Sequence, residues 1–389
     1  MPAVTLHPRL LEWLRSPPLS LSAFPPLRDA TEWPAIARDA DRHGFVPLLY
    51  ANLAPGCEMP AALRASWRDQ AARVAARNLW LSAELGQILD ALRARDLACV
   101  PMRGTTLAEQ LYGHLALRPT GDIDLLVQRA DLDALRAALI ERGYAEVEAR
   151  RGFAEAFDYT LTFFRDGGRL IVEPHWTIAY PPFAERFDMA PVWARCVAGS
   201  TVGAAALRLG AEDQLLHLAL HLIHHRDVAP LLWHYELHRW ISTRTIRWEL
   251  VCQTAAEGRV GLLASFALRE VQSLFKTPMP AAALDALARA RLSRSERALI
   301  ALLTTPRRVQ GRERLAGCLS ARGIAAKMRY ALAFLCPSRA FIRQQYGVTT
   351  PWQIAHTYVT RACEYVWRSV VALVAVSRRG ERAQGRRGG

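Results

Sequence analysis

The sequence predicts an α+β fold, a mixed β-sheet core with helices, flanked by N- and C-terminal helical regions. Three observations carry this. Residues 97–176 alternate short apolar runs with amphipathic stretches in the order β-α-β-α-β-β. On either side, apolar residues recur at the three- and four-residue spacing of helices. The chain has 389 residues, about half of them apolar, which is too long for one simple core, so two or three domains or subdomains are expected. The boundaries fall at 1–96 (helical), 97–180 (mixed-sheet core), 181–305 (helical) and 306–389 (a basic helical segment with a disordered tail).

Each element has a local reason. "SPPLSLSAFPPLRD" (16–29) is a proline-broken connection, and "PAALRASWRDQAARVAARNLWLSAELGQILDALRARD" (60–96) is a long helix with Val74, Leu81, Leu85, Ile88, Leu89 and Leu92 at helical spacing. "LACVPMRG" (97–104) is a strand entering a turn. "TTLAEQLYG" is a helix with Thr105 as its expected N-cap and Gly113 as its stop. "DIDLLV" is a strand, and "RADLDALRAALIERGY" a helix capped near Asp131 and ended by Gly143. "YAEVEAR" reads as a further strand. Two strands then flank the turn Asp166-Gly167-Gly168 in "FDYTLTFFRDGGRLIVEPHW". The helices of this core are expected on one side of the sheet. From about residue 180 a short proline-rich stretch gives way to helix for the rest of the chain, starting with "GAEDQLLHLALHLIHHRD" (210–227).

Charge is placed unevenly. Residues 301–389 carry sixteen Lys/Arg and three Asp/Glu, against 34 and 33 in the first three hundred. The basic segment is suited to peripheral contact with an acidic surface, or to a solvated tail. No aromatic-rich RNA-binding signature accompanies it, which argues against nucleic acid as partner. No run of eighteen apolar residues predicts a membrane span, and the N-terminus does not read as a signal peptide. Seven scattered cysteines without a C-x-x-C pair suit reduced thiols in the cytoplasm. G-x-S-x-G, Walker A, H-E-x-x-H and G-x-G-x-x-G motifs are all missing from the sequence.

"LRPTGDIDLLV" (117–127) places Asp122 and Asp124 one residue apart in a run that otherwise suits a buried strand. Residues i and i+2 of a strand share a face, so the two carboxylates lie together and repel. Solvation at a strand end, a positive neighbour or a divalent cation would resolve that conflict. Before the pair, Gly104-Thr105 opens a helix whose free N–H groups suit phosphate. After it, Glu173 offers a third carboxylate and His175 shares the face of Glu173. Arg118 is suited either to offset charge or hold phosphate there, or to a plain salt bridge. His217, His221 and His224 form one stripe on the helix from 211, with His225 beside it. They line a cleft or bind a metal.

The stretches "MRGTTLAEQLYGHLALRPTGDIDLLV", "ALIERGY" and "VEPHW", and more weakly "LLHLALHLIHH" and "FLCPSRAFIRQQYG", resemble the bacterial uncharacterised nucleotidyltransferase family of the DNA polymerase β-like nucleotidyltransferase superfamily. The chain departs from that pattern in having Arg103 where a lysine is usual, and in a longer gap from Gly104 to Asp122. The resemblance implies a nucleotidyltransferase-like core that moves a nucleotidyl group from an NTP such as ATP to an unknown acceptor hydroxyl or phosphate, with Mg²⁺ or Mn²⁺ as cofactor. Natural-product or polysaccharide biosynthesis is the implied setting. It assigns Asp122, Asp124 and Glu173 to metal and catalysis, Arg103, Gly104, Thr105 and Arg118 to the nucleotide, and His175 and His221 to substrate. The alternative is a catalytically inactive binding or regulatory protein on the same fold.

Overall fold

The structure, a computed structural model, describes residues 6–15, 30–53, 58–147, 152–289, 292–304, 312–321 and 323–385. The proline-broken connection lies outside them. The N-terminal region holds α1 (Pro8–Arg15), α2 (Trp33–Arg42), α3 (Val46–Ala51) and the long α4 (Ala61–Arg93). The core follows with β1 (Cys99–Pro101), α5 (Gly104–Tyr112), β2 (Ile123–Val127), α6 (Leu132–Glu141), β3 (Ala145–Glu146), α7 (Phe153–Phe157), β4 (Phe163–Arg165) and β5 (Leu170–His175). Next come α8 (Ala190–Ala194), β6 (Val197–Thr201), β7 (Ala204–Arg208) and α9 (Ala211–His224), then α10 (Leu231–Ser242), α11 (Trp248–Glu257), α12 (Gly261–Phe275), α13 (Ala281–Ala288) and α14 (Arg294–Leu303). The chain closes with α15 (Arg312–Ser320), α16 (Gly323–Leu335), α17 (Arg339–Tyr346) and α18 (Pro351–Gly385).

The main sheet has the order β1-β2-β5-β4-β3. Only β2 and β5 run parallel, so the sheet is mixed, as the sequence predicts. Period-2 alternation divides β2 and β5 between two cores. Ile123, Leu125, Val127 and Val172 join Leu81, Leu85, Ile88 and Leu92 of α4 and Leu132, Leu135 and Leu139 of α6. Each fully buried leucine or isoleucine there contributes about 1.5–3 kcal/mol. The opposite face carries Asp124, Leu126, Glu173 and His175. Leu126 there belongs to a second core with Leu107 and Leu111 of α5 and Leu215 and Leu218 of α9. Helices therefore cover both faces of the sheet rather than one. β1, β2 and α4 each send side chains into both cores.

Two other expectations need correction. Helix α5 starts at Gly104 with Arg103 as N-cap, which makes no side-chain capping bond, so Thr105 lies inside the helix. The chain after residue 180 also holds an antiparallel hairpin, β6–β7. Its sequence, "VAGSTVGAAALR", is rich in Ala and Gly and lacks the β-branched alternation that marks strands. Both turn residues have positive φ, Val202 at 47° and Gly203 at 81°, the form that suits a two-residue hairpin loop. The hairpin is tied to α5 by Glu109, which accepts from Thr201 Oγ1 at 2.9 Å and Val202 N at 3.1 Å. The basic tail expected to be disordered enters α18, which runs to Gly385. Residues 386–389 lie outside the described residues.

Candidate active site

The first residue of the site follows directly from strand pairing. Pro101 of β1 faces Leu125 of β2, and Met102 N donates to Asp124 O at 3.1 Å. The chain then turns into α5 through Gly104, whose φ is +61°. A Cβ there would lie 3.3 Å from Asp122 O and 3.1 Å from Thr120 Cγ2, so glycine serves both the conformation and the close approach. This turn delivers Arg103 onto Asp124, with Nη2 2.7 Å from Oδ2. The Arg103 guanidinium also lies over the Trp233 ring, 5.7 Å from its centroid, and 3.5 Å from His221 Nδ1.

Parallel pairing sets Asp124 beside Glu173 and Leu126 beside His175. Asp124, Glu173 and His175 consequently converge, with one ligand atom of each within 4.8 Å of the others. His175 Nε2 is 3.2 Å from Asp124 Oδ1. Asp122 stands just before β2, half-buried, outside that trio. Glu173 is half-buried too, so solvent reaches the face past these two acids, whereas Asp124 and His175 are buried.

Burial works to raise Asp124, but the Arg103 charge and the His175 hydrogen bond outweigh it and hold that carboxyl well below the usual range. The Asp124 charge, with burial, then pushes Asp122 up. Burial, helped by Asp124 and Asp122, raises Glu173 to about 8. One guanidinium thus keeps one carboxylate ionised and leaves its neighbours short of positive charge. Asp124 Oδ2, though buried, has the Arg103 ion pair and no hydrogen bond. Two carboxyl groups and an imidazole converging here, with the Asp122 carboxyl nearby, fit a divalent cation.

A second wall comes from α9. His217, His221 and His225 face Arg103, and burial followed by the Arg103 charge lowers all three, His217 to about 3 and His225 to about 4. These imidazoles are neutral at physiological pH. His221 packs on Trp233 at 4.4 Å and His224 on Tyr180 at 4.4 Å. Tyr180 in turn meets Tyr159, and Tyr159 meets His175. Among the described residues the α9 histidines form no metal-type cluster, and Asp124, Glu173 and His175 are the one that does.

Arg118 takes the salt-bridge alternative. Its Nε lies 2.7 Å from Glu236 Oε1 and its Nη2 3.3 Å from Oε2, with both side chains buried. Its charge still acts on Asp122 from a distance. The adjoining loop is pinned by Asn78, whose Nδ2 donates to Leu115 O at 2.5 Å and Arg118 O at 2.7 Å. Thr105 is buried at the first turn of α5.

Sequence reasoning missed Tyr180, Trp233, Glu236, Asn78 and the pair Arg77 and Arg169, which stack on Trp80 at 5.0 and 5.1 Å. The charges of Arg77 and Asp122 act on each other, and Arg77 donates to Gly121 O at 2.8 Å. Glu236 alone had a signal, an acid inside the apolar helix "LLWHYELHRWIS".

A sheet that sets carboxylates from two parallel strands beside a glycine turn at a helix N-terminus suits phosphate and a divalent cation. A model of the family described as "Uncharacterised nucleotidyltransferase" matches residues 29–276, and the chain belongs to that family of transferase enzymes. The match spans the sheet, α9, α10 and α12, and so every site residue named above. Neither a curated protein nor a solved structure gives a match.

Proposed function

We propose that the protein transfers a nucleotidyl group from an NTP to an acceptor hydroxyl or phosphate at the Asp122–Asp124–Glu173 face. The observation that carries this is the convergence of Asp124, Glu173 and His175 beside the Gly104 turn, within the family match. Asp124, Glu173 and His175, joined by Asp122, would hold Mg²⁺ or Mn²⁺, which supplies Lewis-acid polarisation of the α-phosphate and acidifies the acceptor. The chain's own residues do the rest. Arg103 and the N–H groups of Gly104 and Thr105 bind the triphosphate, and the planar guanidinium bridges two phosphate oxygens. Glu173, a half-buried carboxyl beside Asp124, receives the acceptor proton. The acceptor oxygen bonds to the α-phosphorus as the bond to the bridging oxygen breaks, and pyrophosphate leaves. His175 orients Asp124, and the neutral imidazole of His221 supports the Arg103 side chain.

For the acceptor, we place the approach at a cavity of about 280 Å³ lined by Phe157, Asp158, Pro181, Arg186 and Ser320. The Asp158 charge acts on Glu173, and Pro181 follows Tyr180. The second reading, a binding protein without turnover, draws on the Arg103–Asp124 ion pair, which keeps a carboxylate neutralised without a metal. Calorimetric titration of Mg·NTP into the wild type and into Asp122→Asn/Asp124→Asn tests the proposal. Metal-dependent binding in the wild type that the double variant loses supports it. A wild type that binds neither metal nor nucleotide overturns it.

A further inference from the structure

Ten of the fourteen large apolar side chains exposed among the described residues lie between Leu319 and Val370. They are ordered rather than scattered. On α16, Ile324, Met328 and Leu332 recur every four residues and are 78 %, 66 % and 49 % exposed. On α18, Trp352, Val359, Cys363, Val366 and Val370 fall within about 60° of arc, with Trp367 at the edge. All six are exposed, Trp352 by 79 %. The opposite side of α18 is already satisfied, since Ile354, Thr357 and Arg361 are buried. Helices α16 and α18 pack against each other, so the two stripes belong to adjacent elements.

The charge on this segment is one-sided. Between Gly323 and Val370 there are six Lys/Arg and a single acid, Glu364. Lys327 and Arg329 flank Met328 in an exposed stretch of α16, and Arg343 is exposed on α17. Beyond Val370 the sequence reads "VALVAVSRRGERAQGRR", with five more arginines. No helix among the described residues is long and apolar enough to cross a membrane.

From these observations we infer that the α16–α18 face docks onto the surface of an anionic phospholipid bilayer. Apolar stripes bordered by cations and carrying exposed tryptophans match an interfacial helix lying in the plane of the headgroups. A second copy of the chain would oppose the same positive segment, which disfavours self-association. An RNA surface would leave the apolar stripes unburied.

The test is flotation of the full chain with vesicles of phosphatidylcholine alone and with about one-third phosphatidylglycerol. Anionic vesicles are expected to bind at least about tenfold better, given about 1 kcal/mol for each cation near such a surface, and high salt is expected to reverse this. Trp352→Ser/Val359→Ser/Val366→Ser is expected to lower binding by about tenfold or more, because it removes three of the large apolar side chains of the α18 stripe. Its circular dichroism melt is expected to match the wild type, since the substituted side chains are exposed. Lys327→Glu/Arg343→Glu is expected to weaken binding to anionic vesicles by about tenfold or more, at about 1 kcal/mol for each cation lost. Absence of flotation with anionic vesicles overturns the proposal. So does salt-insensitive binding to both vesicle types. Self-association, or RNA retention, that the apolar or charge variants remove while vesicles are never bound assigns the face to another occupant and also overturns it.

Discussion

Replacing Arg118 separates a positioning arginine from a phosphate-binding one. Its contacts to Glu236 are 2.7 and 3.3 Å, and the two side chains are only 5 % and 2 % exposed. At that depth neither group regains water when its partner is removed. Truncating one side therefore leaves a buried charge and costs about 3–5 kcal/mol, whereas replacing both by apolar groups of similar volume is close to neutral. Arg118→Met and Glu236→Leu are each expected to lose stability in that range. The double variant is expected to recover most of it, giving a coupling energy of about 3 kcal/mol. Urea unfolding of the four proteins, followed by near-ultraviolet circular dichroism, measures the cycle. Arg118→Met, kept folded in the cold, is expected to retain Mg·NTP affinity within about threefold, under 1 kcal/mol. Additive losses in the cycle, or a stable Arg118→Met protein that no longer binds NTP, would refute the reasoning and return Arg118 to the nucleotide.

Other outcomes follow from the same geometry. Asp124→Asn is expected to lower turnover by about three orders of magnitude, roughly 4 kcal/mol of barrier, in single-turnover kinetics with saturating metal. Arg103→Met is expected to raise the NTP dissociation constant by about tenfold or more, read by calorimetry, because a charge-assisted contact of about 1.5–3 kcal/mol is removed. Burial and the neighbouring aspartates raise Glu173 to about 8 in the metal-free fold against an ordinary value of 4.5, so the fold binds its proton more tightly than the unfolded chain does. Its stabilising contribution is present below pH 4.5 and lost as pH rises through 8, a change on the order of a few kcal/mol. Melts of the metal-free wild type are expected to fall over that window relative to Glu173→Gln, with added Mn²⁺ restoring the loss. His217 has the opposite sign. Lowered to about 3, it contributes nothing above pH 6.5 and destabilises the fold progressively as pH falls towards 3, an acid-side loss that His217→Asn is expected to reduce.

Residue periodicity made much of this legible. Asp124 faces away from Ile123 and Leu125 on β2, and Glu173 and His175 share a side of β5, because strand alternation is local. The helix at 211–224 and its histidines were visible for the same reason. Register between strands was not. That Asp124 lies beside Glu173 depends on β2 pairing parallel with β5, a long-range choice made by the two cores. Arg103 was legible as a departure from the family pattern, but its ion pair with Asp124 required the β1–β2 register. Tyr180 and Trp233 reach the site only through the packing of α9 and α10. The β6–β7 hairpin is held by Glu109 and its turn rather than by strand-forming residues, so composition concealed it.

The central claim is that this carboxylate face transfers the α-phosphorus of an NTP. The most direct measurement incubates the enzyme, Mg²⁺ and an extract of the source cells with each NTP labelled at the α- or the γ-phosphate, then follows label into acceptor fractions. The expected result is incorporation from the α-label alone, with release of pyrophosphate, and its loss in Asp122→Asn/Asp124→Asn. Incorporation from the γ-label, or α-label transfer that survives loss of both aspartates, would contradict it.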